Sequence, residues 1–329
     1  MALLGSLFFG FVPMFLFAGI LYWLDRYEKE PKILLGAVFL WGVVVAAGGA
    51  FIINTLLGIG VYVFTGSEAI TDLSTGSIIA PIVEESLKGL AVLIVFIIFR
   101  REFDSVLDGI IYAGIAAMGF AATENAYYIY SYGWQEGGWE GFWFLVFVRV
   151  ILVGWQHPFY TAFTGIGLAL ARLSRNWGVK ILAPLAGFAI AIFGHAFHNT
   201  MASFLSGLMG LAIGTTIDWI GWFFMAVFII WMIAQEQGLL RKYLREEVTL
   251  GLMTPAQYRT ATNSFSQSFA RMRGLGSGNF SSTSRFYQVC GELAHKKNQF
   301  AKVGDEGGNQ AIIQRLRAEM SSLAPRAQA

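Results

Sequence analysis

Long apolar runs constrain the fold of this chain more than any other feature of its sequence. A helix needs about 20 mainly apolar residues to cross the hydrocarbon layer of a membrane, and about seven windows of the 329-residue chain meet this requirement. These windows span residues 2–24, 33–63, 76–99, 106–131, 142–171, 179–203 and 211–235. The sequence therefore predicts an all-α polytopic membrane bundle of about seven transmembrane helices.

The composition excludes several other classes of protein. Only 13% of the residues are charged, whereas a soluble globular domain carries roughly a quarter. The 23 basic and 21 acidic residues nearly balance, so the basic excess needed to bind nucleic acid is missing. The single cysteine, Cys290, excludes a disulfide framework and thiolate metal sites.

The distribution of basic residues predicts the orientation of the bundle. Lysine and arginine cluster in the loops at residues 25–32, 100–104 and 172–180, while the loops between them contain neither. Basic loops normally face the cytoplasm. We therefore expect the N-terminus to lie outside the cell and the C-terminal segment to lie in the cytoplasm.

A change in composition near residue 236 predicts two domains. Residues 1–235 would form the transmembrane domain, and residues 236–329, with 13 basic and 7 acidic residues and a net charge of +6, a small helical cytoplasmic tail. Apolar residues recur at helical spacing around Cys290 and around Leu316, which favours a helical hairpin with flexible links. This tail is either a solvated segment near anionic lipid or a docking element.

Ionisable side chains inside membrane windows are costly and point to function. Here the polar residues of the windows are Glu84, Glu85, Lys88, Glu124, Asn125, Arg149, His157, His195, His198 and Asn199. Arg149 is interpreted as a structural counter-ion, and Lys88 either neutralises Glu84 or takes part in chemistry. Asp108 and Asp218 lie near window ends and are interpreted as interfacial.

Helical spacing and depth indicate that several of these groups meet. Glu84 and Lys88 share a helix face, as do His195, His198 and Asn199. At 1.5 Å per residue, Glu84, Glu124 and His195 lie roughly 10–12 Å below the outer ends of their helices, whereas His157 comes out deeper, at about 22 Å. We therefore expect a polar layer in the outer half of the membrane.

Such a layer suits hydrolysis by either of two routes. A glutamate can act as general base on water while histidine and asparagine stabilise an oxyanion, or glutamate and histidine can hold a zinc ion. The candidate catalytic residues are Glu84, Glu85, Lys88, Glu124, His195 and Asn199. The candidate metal ligands are Glu124, His157, His195 and His198.

Three motifs give the chain a family resemblance. They are EExxK at residues 84–88, FxxxEN at residues 120–125 and HxxxN at residues 195–199, with further similarity at residues 25–31 and after His157. Over roughly residues 10–235 the sequence resembles the PrsW family of intramembrane proteases, which are relatives of the type II CAAX prenyl proteases.

The resemblance implies a glutamate-dependent protease that cuts a single-pass membrane protein, such as an anti-sigma factor, near its extracytoplasmic side. By analogy, Glu84 would activate water, and His195 with Asn199 would stabilise the oxyanion. The CAAX relatives carry histidine where Glu124 stands, so His157 or His198 would supply that imidazole. The implied cofactor is a divalent metal, with zinc favoured, although a metal-free glutamate mechanism stays open.

Three other interpretations of the polar layer are open from the sequence. A proton-coupled transporter also relays protons along glutamate and histidine chains, but it predicts internal repeats that this sequence does not show. A non-catalytic scaffold would keep the fold and bind single-pass helices. The polar set could also serve only the structure of the bundle.

Overall fold

The computed structural model describes residues 1–205, 207–305 and 307–329, except for the side chain of Leu208. Within these ranges all regular structure is helical. The first helices are α1 (Ala2–Leu24), α2 (Lys32–Leu40), α3 (Ala47–Thr65), α4 (Glu68–Ser74), α5 (Ala80–Ile98), α6 (Val106–Tyr128), α7 (Gln135–Val146), α8 (Gln156–Arg172) and α9 (Trp177–Phe204). The later helices are α10 (Gly207–Thr249), α11 (Pro255–Ala261), α12 (Ser264–Gly276), α13 (Phe280–Val303) and α14 (Asn309–Leu323).

Five helical stretches of the described chain are long and apolar enough to cross a membrane, which confirms the prediction of a helical, multi-pass membrane protein. They are Ala2–Leu24, Lys32–Thr65, Val106–Arg172, Trp177–Phe204 and Met209–Thr249. Two of the predicted windows fall within the 67-residue stretch from Val106 to Arg172. Helix α5 carries Glu84, Glu85 and Lys88 and therefore fails a purely apolar criterion. The number of seven spans stays a prediction.

Helix α6 lies at the centre of the bundle, with nearly all of its residues buried. It packs against α1, α2, α5 and α8. At the contact with α8, a Cβ atom built on Gly165 would lie 1.9 Å from the carbonyl oxygen of Gly109. Small residues let membrane helices approach at backbone contact. This contact fixes the position of α8, which carries His157, against the helix that carries Glu124.

Helix α8 does not begin where the sequence window begins. A π-helical segment, Phe147–Leu152, ends in a turn at residues 153–155, and α8 starts at Gln156. His157 and Pro158 therefore lie in the first turn of a new helix. Backbone nitrogens of the first turn have no acceptor within the helix, so a proline is tolerated there. The depth of about 22 Å that the sequence indicated for His157 assumed one continuous helix from residue 142, and this break removes that assumption.

The C-terminal segment forms a second core with the first loop of the chain. Helix α10 is 43 residues long, or about 65 Å, about twice the thickness of the hydrocarbon layer. Its Leu240 and Leu244 pack with residues of α13 and with Tyr27 of the first loop. The side chain of Gln288 exchanges hydrogen bonds of 2.9 and 3.0 Å with the backbone of Lys29. The division at residue 235 stays a prediction, and α10 crosses it without a break.

Candidate active site

Helix α5 brings three charged side chains into the interior of the bundle. Pro81 lies in its first turn, and Glu84, Glu85 and Lys88 follow on its buried side. Glu84 is 6% exposed, and the other two are fully buried. Charges at such depth are tolerated only when they are paired and hydrogen-bonded. The partners of each residue therefore decide its role.

Glu85 has its carboxylate oxygens engaged by three other residues. Lys88 Nζ donates to Oε1 at 2.7 Å, and Thr161 Oγ1 donates to Oε2 at 2.8 Å. The Nδ1 atom of His195 lies 3.0 Å from Oε1. These contacts reach α8 and α9, so Glu85 connects three helices and orients the His195 ring.

Glu84 differs from its neighbour in having an unpartnered oxygen. Its Oε2 atom is buried and makes no hydrogen bond. Lys88 Nζ lies 3.6 Å from this oxygen, and His195 Nε2 lies 3.7 Å from it. A buried polar atom without a hydrogen bond is uncommon and indicates a site for water or an ion. Glu84 therefore has an acceptor available for a ligand.

Lys88 supplies the positive charge at the centre of this cluster. Its Nζ atom lies 3.1 Å from His157 Nδ1 and 4.2 Å from the centre of the Phe120 ring. Because a lysine ammonium only donates hydrogen bonds, Nδ1 must accept and Nε2 must carry the proton. That Nε2–H donates to Glu124 Oε2 over 2.9 Å. The contacts thus fix the tautomer of His157.

Glu124 is paired with Arg149, as the sequence predicted for a counter-ion. The Nη2 atom of Arg149 donates to Glu124 Oε2, and its Nε atom donates to Asn125 Oδ1 at 2.8 Å. The same Glu124 oxygen also accepts from His157. The Oε2 atom of Glu124 therefore already accepts two hydrogen bonds, whereas the Oε2 atom of Glu84 accepts none.

His198 lies in a neighbouring cluster instead of beside His157. Its Nδ1 atom is 3.0 Å from Asp218 Oδ2, which also accepts from Gln156 Nε2 at 2.7 Å. Asp218 is buried and accepts a hydrogen bond from Tyr160, so it does not have the exposed environment expected of an interfacial residue. The Tyr160 ring stacks on His195 with centroids 5.4 Å apart. The two clusters therefore share a ring contact.

Sequence reasoning missed Gln156 and Tyr160, and it assigned Asp218 to the membrane interface instead of to this site. The signals were present, because Gln156 and Tyr160 flank His157 by one and three residues, and Asp218 is an acid in an apolar window.

Asn199 lies one turn beyond His195 on α9 and donates one amide hydrogen to the Gly76 carbonyl at 2.9 Å. Its second amide hydrogen is not needed for that bond.

The described residues contain a group suited to a metal ion. Potential ligand atoms of Glu84, His157 and His195 lie within 4.8 Å of one another. Two imidazoles and one carboxylate form a set of three ligands that leaves a position open, which is typical of catalytic zinc sites. The unpartnered Glu84 oxygen fits such an ion. Of the four predicted ligands, His157 and His195 belong to this group, whereas Glu124 and His198 do not.

Comparison with known proteins gives one family and three curated relatives. Residues 30–233 match a model described as PrsW family intramembrane metalloprotease. Protease PrsW of Clostridioides difficile (strain 630) is 38% identical over 107 residues, covering 32% of this chain and 43% of that protein. Protease PrsW of Geobacillus kaustophilus (strain HTA426) is 31% identical over 124 residues, covering 38% and 52%. Protease PrsW of Bacillus subtilis (strain 168) is 30% identical over 167 residues, covering 51% and 69%.

The similarity does not extend to the whole of each relative. The chain spans about half the length of the first two of these proteins. No solved structure matches the chain. The matched region, residues 30–233, contains every residue of the two polar clusters.

Proposed function

Because this chain belongs to the PrsW family of intramembrane metalloproteases, we propose that it hydrolyses a peptide bond of a membrane-anchored protein. The observation that carries the proposal is the buried, unpartnered Oε2 atom of Glu84. It lies among the polar groups of three helices, within 3.7 Å of a lysine ammonium and an imidazole. This arrangement supports Glu84 as the group that receives a proton from water.

The contacts of the two residues favour Glu84 over Glu85 for this role. Glu85 already binds Lys88, Thr161 and His195, so it positions other groups. Glu84 would take a proton from the attacking water and then deliver it to the nitrogen of the departing peptide. Lys88 keeps the cluster of carboxylates close to neutral while this proton moves.

In the route without a metal, His195 and Asn199 are the proposed donors to the developing oxyanion, with His195 donating from Nε2 as an imidazolium because Glu85 accepts the hydrogen of Nδ1. They lie one turn apart on α9, and Glu85 holds His195 through its Nδ1 atom. Fixed donors aimed at developing charge commonly supply the largest share of catalysis. Tyr160 limits rotation of the His195 ring by stacking on it.

For the alternative route, we propose that Glu84, His157 and His195 would hold the family's metal, and Glu84 and His195 would then serve as ligands instead of as general base and oxyanion donor. The set of one carboxylate and two imidazoles favours zinc. Such an ion lowers the pKa of a water molecule that it binds and so supplies a nucleophile near neutral pH. In its absence the Lys88 ammonium, 3.1 Å from His157 Nδ1 and 3.6 Å from Glu84 Oε2, provides the positive charge among the same atoms.

We further propose the substrate class and the orientation. The substrate is a single-pass membrane protein of the anti-sigma-factor kind, which the chain would cut near its extracytoplasmic side. The N-terminus would lie outside the cell and the basic tail in the cytoplasm. The clustering of lysine and arginine in alternate loops supports this orientation.

A reconstituted cleavage assay tests the proposal. The full chain and a labelled single-pass substrate are incorporated into liposomes, and the products are sized by mass spectrometry. Wild type should cut the substrate, and Glu84→Gln should lower the rate by about 100-fold or more, since general bases contribute 10²–10⁴-fold. Glu140→Gln is the matched control because Glu140 is an exposed acid outside both clusters, and it should cut normally.

The same assay separates the alternatives. A scaffold would bind the substrate without cutting it, and a proton-coupled transporter would acidify or alkalise the vesicle interior without a protein product. Undiminished cleavage by the folded Glu84→Gln chain would remove Glu84 from the mechanism.

A further inference from the structure

A second group of metal-ligating side chains lies at the opposite end of the molecule, between the first loop and the C-terminal segment. Oxygen atoms of Glu28 and Asp104 and a ring nitrogen of His295 lie within 4.8 Å of one another. The His295 Nδ1 atom is 3.1 Å from Asp104 Oδ1 and 3.7 Å from Glu28 Oε2. The three residues come from three separate parts of the chain.

The histidine of this group is buried without a hydrogen bond. His295 is only 3% exposed, and neither of its ring nitrogens makes a hydrogen bond. Its Nε2 atom faces Glu236 of α10, with Oε1 at 3.9 Å, and the Oε2 atom of Glu236 is also unpartnered. Several buried polar atoms without hydrogen-bond partners in one place indicate a binding position for water or an ion.

The charges of the group also call for a cation. The His295 ring faces three carboxylates, which belong to Glu28, Asp104 and Glu236. The ammonium of Lys296 donates to Asp104 Oδ2 and to the carbonyl of Arg101. These three carboxylates need more positive charge than one ammonium provides, and a metal ion or a proton on His295 would supply it.

Other acids near the group are already occupied. Asp108, which the sequence placed at the membrane interface, is instead buried and forms a capping box with Ser105 at the start of α6. Asp25 accepts a hydrogen bond from the backbone of Glu30. An ion would therefore be held by the Glu28 group alone.

The group can be reached from solvent. A cavity of about 350 Å³ opens beside it, and Asp104, Glu236 and His295 form part of the wall. This volume is large enough for a divalent ion with six bound waters, which take about 180 Å³ at about 30 Å³ per water. An ion can therefore enter without unfolding of the tail.

We propose that Glu28, Asp104 and His295 bind a divalent transition-metal ion that clamps the C-terminal segment onto the first loop. One imidazole and two or three carboxylates form the N/O ligand set that zinc and manganese accept. The ion would join the first loop, the segment before α6 and helix α13, in addition to the Gln288–Lys29 hydrogen bonds. This site is independent of the polar cluster of α5, and its occupancy would set how firmly the tail is docked.

Zinc binding to the full-length chain in detergent tests the proposal, with the first metal group removed by His157→Ala and His195→Ala. We expect this background to bind one equivalent of Zn²⁺, measured by titration and elemental analysis. Adding His295→Asn should reduce the bound zinc at least tenfold. Zinc should also raise the unfolding temperature of the background chain but not that of the His295→Asn chain.

Two further variants guard against loss of folding. Glu28→Gln changes a partly exposed loop residue and should weaken zinc binding at least tenfold while the helical circular-dichroism signal stays unchanged. Glu319→Gln removes an acid of α14 that pairs with Arg285 outside the group, and it should bind zinc like the background chain. Absence of zinc from the background chain, or undiminished zinc in the His295→Asn and Glu28→Gln chains relative to that background, would overturn the assignment and leave an ion-pair hub with a protonated His295.

Discussion

His195 is held by Glu85, with its Nδ1 atom 3.0 Å from the Oε1 atom of that carboxylate. The other ring nitrogen, Nε2, consequently faces Glu84 at 3.7 Å. Two consecutive glutamates thus take different parts, one holding the imidazole and the other presenting a free oxygen beside it. Carboxylates that orient a functional histidine in this way affect activity without touching the substrate.

Glu85→Gln should therefore slow cleavage by about 10–100-fold and leave the chain folded, because an amide can still accept from Thr161 but holds the imidazole and Lys88 less firmly. Initial rates measured across a range of pH check this, and the rate profile should shift along with the loss of rate. Glu136→Gln, a change at an exposed position, serves as the control. An unchanged profile would assign Glu85 a purely structural part.

The Arg149–Glu124 pair should stabilise the bundle. Arg149→Met leaves the partly buried Glu124 carboxylate without its guanidinium partner, which is costly. Unfolding in detergent should give a coupling free energy of about 2 kcal/mol when Arg149→Met, Glu124→Gln and the double variant are compared. Additive effects of the two single changes would contradict the pairing.

The contact between Gly109 and Gly165 should tolerate no added methyl group. Gly165→Ala places a Cβ atom 1.9 Å from a backbone oxygen, so α8 must shift away from α6, at a cost of about 1–3 kcal/mol. The unfolding temperature and the cleavage rate should both fall, since α8 carries His157. Gly36→Ala meets no atom within 4 Å and should be neutral or slightly stabilising.

Removal of metal should stop cleavage. A chelator should inhibit the reconstituted chain, and added zinc should restore the rate, because an ion held by Glu84, His157 and His195 would lower the pKa of its water. Repeating the assay in the Glu28→Gln chain limits the effect that loss of metal from the second proposed site would have on the rate. Full activity after chelation, together with no metal by elemental analysis, would favour the route that uses glutamate alone.

The thiol of Cys290 should be unreactive in the native chain. Cys290 is fully buried in the core of the C-terminal segment, and burial raises the pKa of its thiol, so little of the reactive thiolate is present. A water-soluble maleimide should label it about 100-fold more slowly than an exposed thiol until the chain is unfolded. Ser268→Cys, at an exposed position, provides that reference, and equally fast labelling at both positions would show that the C-terminal core is open.

The sequence predicted the convergence of the α5, α6 and α9 motifs because ionisable groups in apolar windows are costly in lipid and therefore face the interior of the bundle. Its choice of Glu84 over Glu85 came from the family resemblance alone, because the contacts that distinguish the two residues are made by Thr161 and His195 on other helices. Helical spacing predicted the Glu84–Lys88 pair, yet the shorter bond of Lys88 is to Glu85, which is also a neighbour at three residues.

Two other features required long-range information. The break before α8 places His157, instead of His198, in the first cluster. A hydropathy window does not detect one turn of irregular backbone. The docking of α13 on the first loop joins residues 259 positions apart. No periodicity within either segment reports on such a contact.

Helix α10 carries Asp218 beside Tyr160 and His198, and it also carries Leu240 and Leu244 in the core of the C-terminal segment. Asp218 and Leu240 are about 33 Å apart along one uninterrupted set of backbone hydrogen bonds. The helix is therefore a mechanical linkage, and inserting one residue between these positions would turn one end by about 100° relative to the other. A rotation of the tail about the α10 axis would therefore move Asp218, which accepts a hydrogen bond from the Tyr160 side chain that stacks on His195.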